Sequence, residues 1–201
     1  FSPTAAAYIF PVMPRAQTTM AERIAYREAV TEDAALLIKR PSGLGSAVYI
    51  GHGRIVTAAH VVAGAKVVSL KSNDGRISSA TVVAFDEQTD LAILQTNMRL
   101  LAADLSCSPV PVGTSIVAIG NPQGMEFVSA YGRIAGKARP VATSRLVYVT
   151  DMTTVMGQSG SGVFADGKVI GIVSAVMLAP LQVPGRDGVY VPSLVGFGFV
   201  V

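Results

Sequence analysis

Short β-prone runs closed by turn residues dominate this chain and limit what it can fold into. They include Leu36-Leu-Ile38, Ser46-Ala-Val-Tyr-Ile50, Lys66-Val-Val-Ser-Leu70, Thr81-Val-Val-Ala-Phe85, Leu91-Ala-Ile-Leu94 and Ser115-Ile-Val-Ala-Ile119. Phe127–Ile134, Leu146–Thr150, Gly162–Phe164, Val169–Ala175, Gly188–Val191 and Phe197–Val201 follow. Gly51-His-Gly53, Asn73-Asp-Gly75, Asn121-Pro-Gln-Gly124 and Asp166-Gly167 separate them as turn signals. β-branched and aromatic side chains suit a half-buried pleated surface, and glycine supplies the positive φ of tight turns. Many short strands punctuated in this way predict an all-β barrel or sandwich. The segment 102–113, with Pro109 and Pro111, is poor in strand signal and divides the runs into two groups of about six. We therefore expect two packed six-stranded antiparallel β-barrels, one over about 34–102 and one over about 113–201.

The first 33 residues read differently. Residues 1–16 hold three prolines among apolar and small residues and are expected to form an extended arm. Thr19-Met-Ala-Glu22 has capping-box spacing, and Met20, Ile24 and then Arg27 or Glu28 fit a short amphipathic helix ending by Thr31.

Composition excludes several functions. The 16 basic and 13 acidic residues are scattered, without a basic run interleaved with aromatics, so no nucleic-acid partner is expected. The uncharged stretch between Lys168 and Arg186 is too short for a membrane span and contains Pro180 and Pro184. The lone Cys107, in the linker, rules out an internal disulfide and a cysteine-rich metal site, and no His or carboxylate spacing suggests a metal or other cofactor. Half of the residues are apolar and 14% are charged. Such a chain must place its excess apolar surface in a large core, a subunit interface, or both.

Three local features carry chemistry. Ile55-Val-Thr-Ala-Ala-His60 runs a strand end into small residues and then an imidazole, where a general base can be both reachable and fixed. Gln88-Thr-Asp-Leu-Ala-Ile-Leu94 sets Asp90 before an apolar strand, where its carboxylate can be buried against an imidazole N–H. Gly157-Gln-Ser-Gly-Ser-Gly162 lets the backbone turn so that Ser159 is exposed, with the Gly157 and Ser159 N–H groups converging as an oxyanion hole. The order His60, Asp90, Ser159 is that of the chymotrypsin arrangement. An α/β-hydrolase would need Gly-x-Ser-x-Gly and a histidine after the serine, but the fifth position is Ser161 and both His52 and His60 precede Ser159. His52 is read as an exposed turn residue, Asp151 as a structural acid beneath the serine loop, and Lys168 as no partner for the serine.

Read together, these segments resemble the HtrA/Deg-type trypsin-like serine proteases from about Ala34 to the end. Gly45–Ile50 with Thr57-Ala-Ala-His-Val-Val62 is similar to the family's strand and histidine motif. Thr89–Leu94 resembles its aspartate motif, and Val117-Ala-Ile-Gly-Asn-Pro-Gln-Gly124 its segment after the interbarrel linker. Gly157-Gln-Ser-Gly160, Asp166–Ile172 and Gly196–Val201 also fit. Gln158 departs from the family's Asn or Asp, and Ser161-Gly162 from its Gly-Pro.

The resemblance implies a serine endopeptidase acting on protein or peptide substrates, a periplasmic or secreted location, and a homo-oligomer. That oligomer would be a trimer assembled through the N-terminal arm, where Tyr8, Ile9, Phe10 and Val12 lie. It also implies a specificity pocket formed by Thr153, six residues before Ser159, with Ser174, Ala175, Val176 and Met177 of the later strand. An uncharged pocket cannot compensate a desolvated Lys or Arg, so cleavage after small or medium apolar residues is expected. The alternative is a protease-fold protein kept for assembly or binding, its site idle.

Overall fold

The structure is a computed structural model that describes residues 19–141, 145–182 and 190–201; side chains at 141, 145, 176–182, 190–197 and 199 fall outside the description. The expected arm, with Tyr8, Ile9, Phe10 and Val12, lies outside the described residues.

Helix α1 (Met20–Ala34) opens on the predicted capping box: the Glu22 amide donates to the Thr19 hydroxyl oxygen, and the Glu22 carboxylate accepts from the Thr19 amide at 2.7 Å. The helix runs one turn beyond Thr31, and its burial differs from the expectation. Met20 and Ile24 are exposed, whereas Val30, Thr31 and Ala34 are buried. The Met20 and Ile24 stripe is therefore not what docks α1; Tyr26 packs against the first barrel's core, and the last turn is buried. On its flank, Arg27 forms an ion pair with Asp166 of the second barrel.

Six strands form the first barrel: β1 (Ala35–Arg40), β2 (Gly43–Gly51), β3 (Arg54–Ala58), β4 (Val67–Ser72), β5 (Ile77–Asp86) and β6 (Leu91–Thr96). They close in the order β1-β2-β3-β6-β5-β4, every pair antiparallel. A one-turn helix, α2 (Ala59–Val62), follows β3. The second barrel holds β7 (Ser115–Gly120), β8 (Val128–Val141), β9 (Arg145–Thr150), β10 (Gly162–Ala165), β11 (Lys168–Gln182) and β12 (Tyr190–Val200), closed as β10-β11-β12-β9-β8-β7. The two runs expected at 188–191 and 197–201 are thus one strand. Closure leaves neither sheet with an open edge, so the strands pair their backbone groups without covering helices.

Each barrel has its own apolar centre. Leu36, Ile38, Ile55, Leu70 and Leu94 fill the first, and Ile116, Ile134, Met152, Val163 and Val173 the second. Phe164, Val169 and Ile172 belong to the second barrel in sequence but pack into the first cluster. This shared apolar contact fixes how the barrels lie against each other, and the candidate site sits along it.

Candidate active site

Three chain segments meet at the barrel seam. His60 is in α2, directly after β3, and Asp90 is the residue before β6; β3 and β6 pair from Arg54↔Gln95 to Ala58↔Leu91, which brings their ends together. Asp90 takes a left-handed backbone conformation, φ 59°, that aspartate tolerates better than most residues. Its carbonyl accepts from the Ala59 amide at 3.0 Å. Its Oδ1 accepts the His60 amide at 3.0 Å, and His60 Nδ1 lies 2.9 Å from Oδ2. The Asp90 side chain is 8% exposed, while the imidazole is half exposed. A ring held at Nδ1 by a buried acid presents Nε2 outward, where it can take up or release a proton.

Asp90 has a further partner: the buried Ser174 of β11 donates its hydroxyl to Oδ2. Burial raises the Asp90 pKa, but hydrogen bonds from the His60 ring, the Ser174 hydroxyl and the His60 amide outweigh it. The carboxyl is therefore held below its ordinary value.

Ser159 is partly exposed in the loop between β9 and β10, on the same open cleft of about 470 Å³ as His60. Leu44, Gln123, Met156 and Gly157 also line it. The first barrel grips this loop: the Ser46 amide donates to the Ser159 carbonyl at 2.8 Å. Gly160 follows with φ +90°, where an added Cβ would lie 2.0 Å from the Ser46 carbonyl oxygen. Gly157 has φ +96°, and a Cβ there would lie 2.2 Å from the Asn121 carbonyl oxygen. Only glycine satisfies both the backbone angle and the space at these positions. Neither the Gly157 nor the Ser159 N–H is donated to a backbone carbonyl among the described residues. The Met156 carbonyl accepts from Gln123 at 2.8 Å and so faces away from that N–H across a trans peptide.

The other residues singled out in the sequence are more dispersed. Ser174 and Ala175 line a second cleft, of about 460 Å³, with His60, Asp90, Phe85 and Glu87. Thr153 is exposed and lines neither cleft, and Met177 lies in β11 with its side chain outside the description. Asp151 is exposed; it accepts from the Arg133 amide and so ties the end of β9 to β8. His52, Cys107 and Lys168 are exposed and line neither cleft.

Sequence reasoning missed a set of polar residues beneath the loop. Ser46 and Asn121 are both fully buried and bonded to each other, and Gln158 is buried with its Oε1 accepting the Val155 amide at 2.8 Å. The signal available was a serine opening the run Ser46–Ile50 and an asparagine directly after Ser115–Gly120. Ser161 is also fully buried, and its hydroxyl is the one buried side-chain polar atom without a hydrogen-bond partner among the described residues. No cluster of three or more His, Cys, Asp or Glu is placed to hold a metal among the described residues. No described helix is long and apolar enough to cross a membrane.

The family model for the trypsin-like peptidase domain matches residues 45–172, which span the segments carrying His60, Asp90 and Ser159. The chain belongs to the trypsin-like peptidase family. Within it, this is an HtrA-type serine protease domain. Protease Do-like 1, chloroplastic, of Arabidopsis thaliana is 33% identical over 166 residues, which is 74% of this chain and 37% of that protein. Serine protease Do-like HtrA of Lactobacillus helveticus is 34% identical over 134 residues, 62% of this chain and 32% of that protein. The chain thus spans about a third of the length of these relatives. Among solved structures, the HtrA-type protease AlgW with tripeptide matches 92% of this chain and 60% of its own, at 30% identity and TM-score 0.72. The Rv3671c protease of M. tuberculosis H37Rv, in its inactive form, matches 94% of this chain and 93% of its own, at 26% identity and TM-score 0.71.

Proposed function

We propose that this HtrA-type domain hydrolyses peptide bonds through an acyl-enzyme on Ser159, with His60 as general base and then acid, and Asp90 orienting the imidazole. The observation that carries this reading is the buried Asp90 carboxylate on His60 Nδ1, beside a partly exposed Ser159 on one cleft. The carboxylate selects the tautomer with Nδ1 protonated, so Nε2 is free to accept the Ser159 proton. Attack on the substrate carbonyl then places negative charge on its oxygen, and the Gly157 and Ser159 N–H groups receive it. His60 returns the proton to the leaving amine, and water repeats the sequence to release the acyl group.

Substrates are proteins or peptides cleaved after small or medium apolar residues such as Val, Ala, Leu or Ile. Support comes from the residues themselves: Thr153, Ser174 and Ala175 carry no charge, and the Ser174 hydroxyl is directed at Asp90. The domain division at 33/34 and assembly through the arm belong to the same proposal.

Labelling with a fluorophosphonate tests the mechanism. Adduct on Ser159, with none in Ser159→Ala, is the expected result. An unlabelled protein that cleaves no peptide would instead mean a protease fold kept for assembly. A peptide-library digest tests the preference, and dominant cleavage after Arg, Lys, Asp or Glu would overturn it.

A further inference from the structure

We infer that Ser46, a residue of the first barrel, is a positioning residue for this reaction: its hydroxyl anchors the Gly157 carbonyl so that the neighbouring N–H groups stay aimed at the oxyanion. The inference rests on the reading of Ser159 as nucleophile.

A serine hydroxyl has one proton to give and two lone pairs to receive with. At Ser46 both lone pairs are occupied: the Asn121 amide approaches Oγ at 3.1 Å and Asn121 Nδ2 at 3.0 Å. The single proton is left for the Gly157 carbonyl oxygen, 2.8 Å away. Asn121 cannot reverse its amide, because Oδ1 accepts the Phe127 N–H at 3.0 Å. Ser46 and Asn121 are both 0% exposed, so water does not compete and each bond polarises the next. A hydroxyl that would normally rotate is thereby fixed in one direction.

That direction matters because of what it holds. Gly157 has no side chain and can turn over at little cost, yet its N–H must face the cleft. The anchored carbonyl lies between the two N–H groups in chain order, after that of Gly157 and before that of Ser159. With Gln123 holding the Met156 carbonyl on the other side, both peptides flanking Gly157 are pinned. Ser46 also bonds Ser159 directly through its amide, so one residue of β2 sets the nucleophile loop at two points.

The test compares wild type, Ser46→Ala, Ser46→Thr and Ser159→Ala on a peptide cut after valine, and measures binding of a peptide boronic acid and of the cleaved product peptide. Loss of an oxyanion donor costs roughly 100- to 1000-fold in kcat, and loosening one is expected to cost about 10- to 100-fold in Ser46→Ala. KM should stay within about twofold, because the ground-state complex does not use these N–H groups. Boronate affinity should fall in step with kcat, product affinity should hold, and Ser46→Thr, which keeps the hydroxyl, should recover most of the loss.

Asn121→Asp gives a second route that leaves Ser46 in place. A carboxylate cannot donate to Oγ and draws the Ser46 proton away from Gly157, so the same kcat-selective loss is expected. Unchanged kcat and boronate affinity in both variants overturns the inference, as does a parallel loss of kcat, product binding and melting temperature. Turnover retained in Ser159→Ala would overturn the nucleophile reading itself. An inactive Ser159→Ala beside an unaffected Ser46→Ala overturns the role of Ser46 alone.

Discussion

His60 Nδ1 lies 2.9 Å from Oδ2 of Asp90, and the same carboxylate accepts the His60 backbone amide through Oδ1. The acid therefore fixes the ring and the chain that carries it. Asp90→Asn presents an amide where the carboxylate was, and the imidazole is driven to the wrong tautomer. We expect turnover near neutral pH to fall by about 10⁴-fold, measured as kcat on a peptide substrate.

The same carboxylate makes stability depend on acid. Its folded pKa is below the ordinary value of 3.8, so its contribution is complete above that value and drains away as pH falls through the folded one. Urea midpoints of wild type and Asp90→Asn should differ most at neutral pH and converge as pH falls through the lowered folded value. A gap that widens in acid would contradict the sign.

Ser174→Ala removes one of the donors that hold the Asp90 pKa down. Acid unfolding of this variant should begin at a higher pH than in wild type. With the carboxylate less firmly held, turnover should drop by about tenfold, corresponding to about 1.4 kcal/mol for a hydrogen bond to a charged group.

Gly160→Ala tests how tightly the Ser159 loop is seated. The added Cβ would lie 2.0 Å from the Ser46 carbonyl oxygen and 2.2 Å from Thr57 Oγ1, in a backbone conformation that alanine resists. A loss of about 3 kcal/mol or more is expected from clash and strain together, read from denaturant unfolding.

Ser161→Ala should act in the opposite direction. Its hydroxyl is buried without a partner, so removing it relieves a desolvated polar group. We expect a gain of about 1 kcal/mol in stability with turnover little changed.

Local pattern made the strands, the capping box and the three chemical motifs legible, because turn glycines and apolar runs act over a few residues. The longer runs and the packing were less legible. Met20 and Ile24 suggest an inward helix face, but α1 meets the barrels only from Tyr26 onward, and no local periodicity encodes where that contact begins. Ser174 reads as a pocket residue from its strand; that its hydroxyl also reaches Asp90, 84 residues earlier in the chain, is not encoded locally. For Ser46 only a polar residue opening an apolar run is legible; its partners lie 75 and 111 residues away and become neighbours only when two barrels meet.

The division of the site between two barrels also bears on synthesis. The imidazole and its acid come from the first barrel, the serine loop from the second, and the Ser174 donor from β11, near the end of the chain. A ribosome making this protein releases His60 long before Ser159, and the second barrel cannot close until β12 has emerged. Until β12 is made the nascent domain carries the proposed site in separate pieces, and neighbouring polypeptides are exposed to an assembled one only once the two barrels have docked.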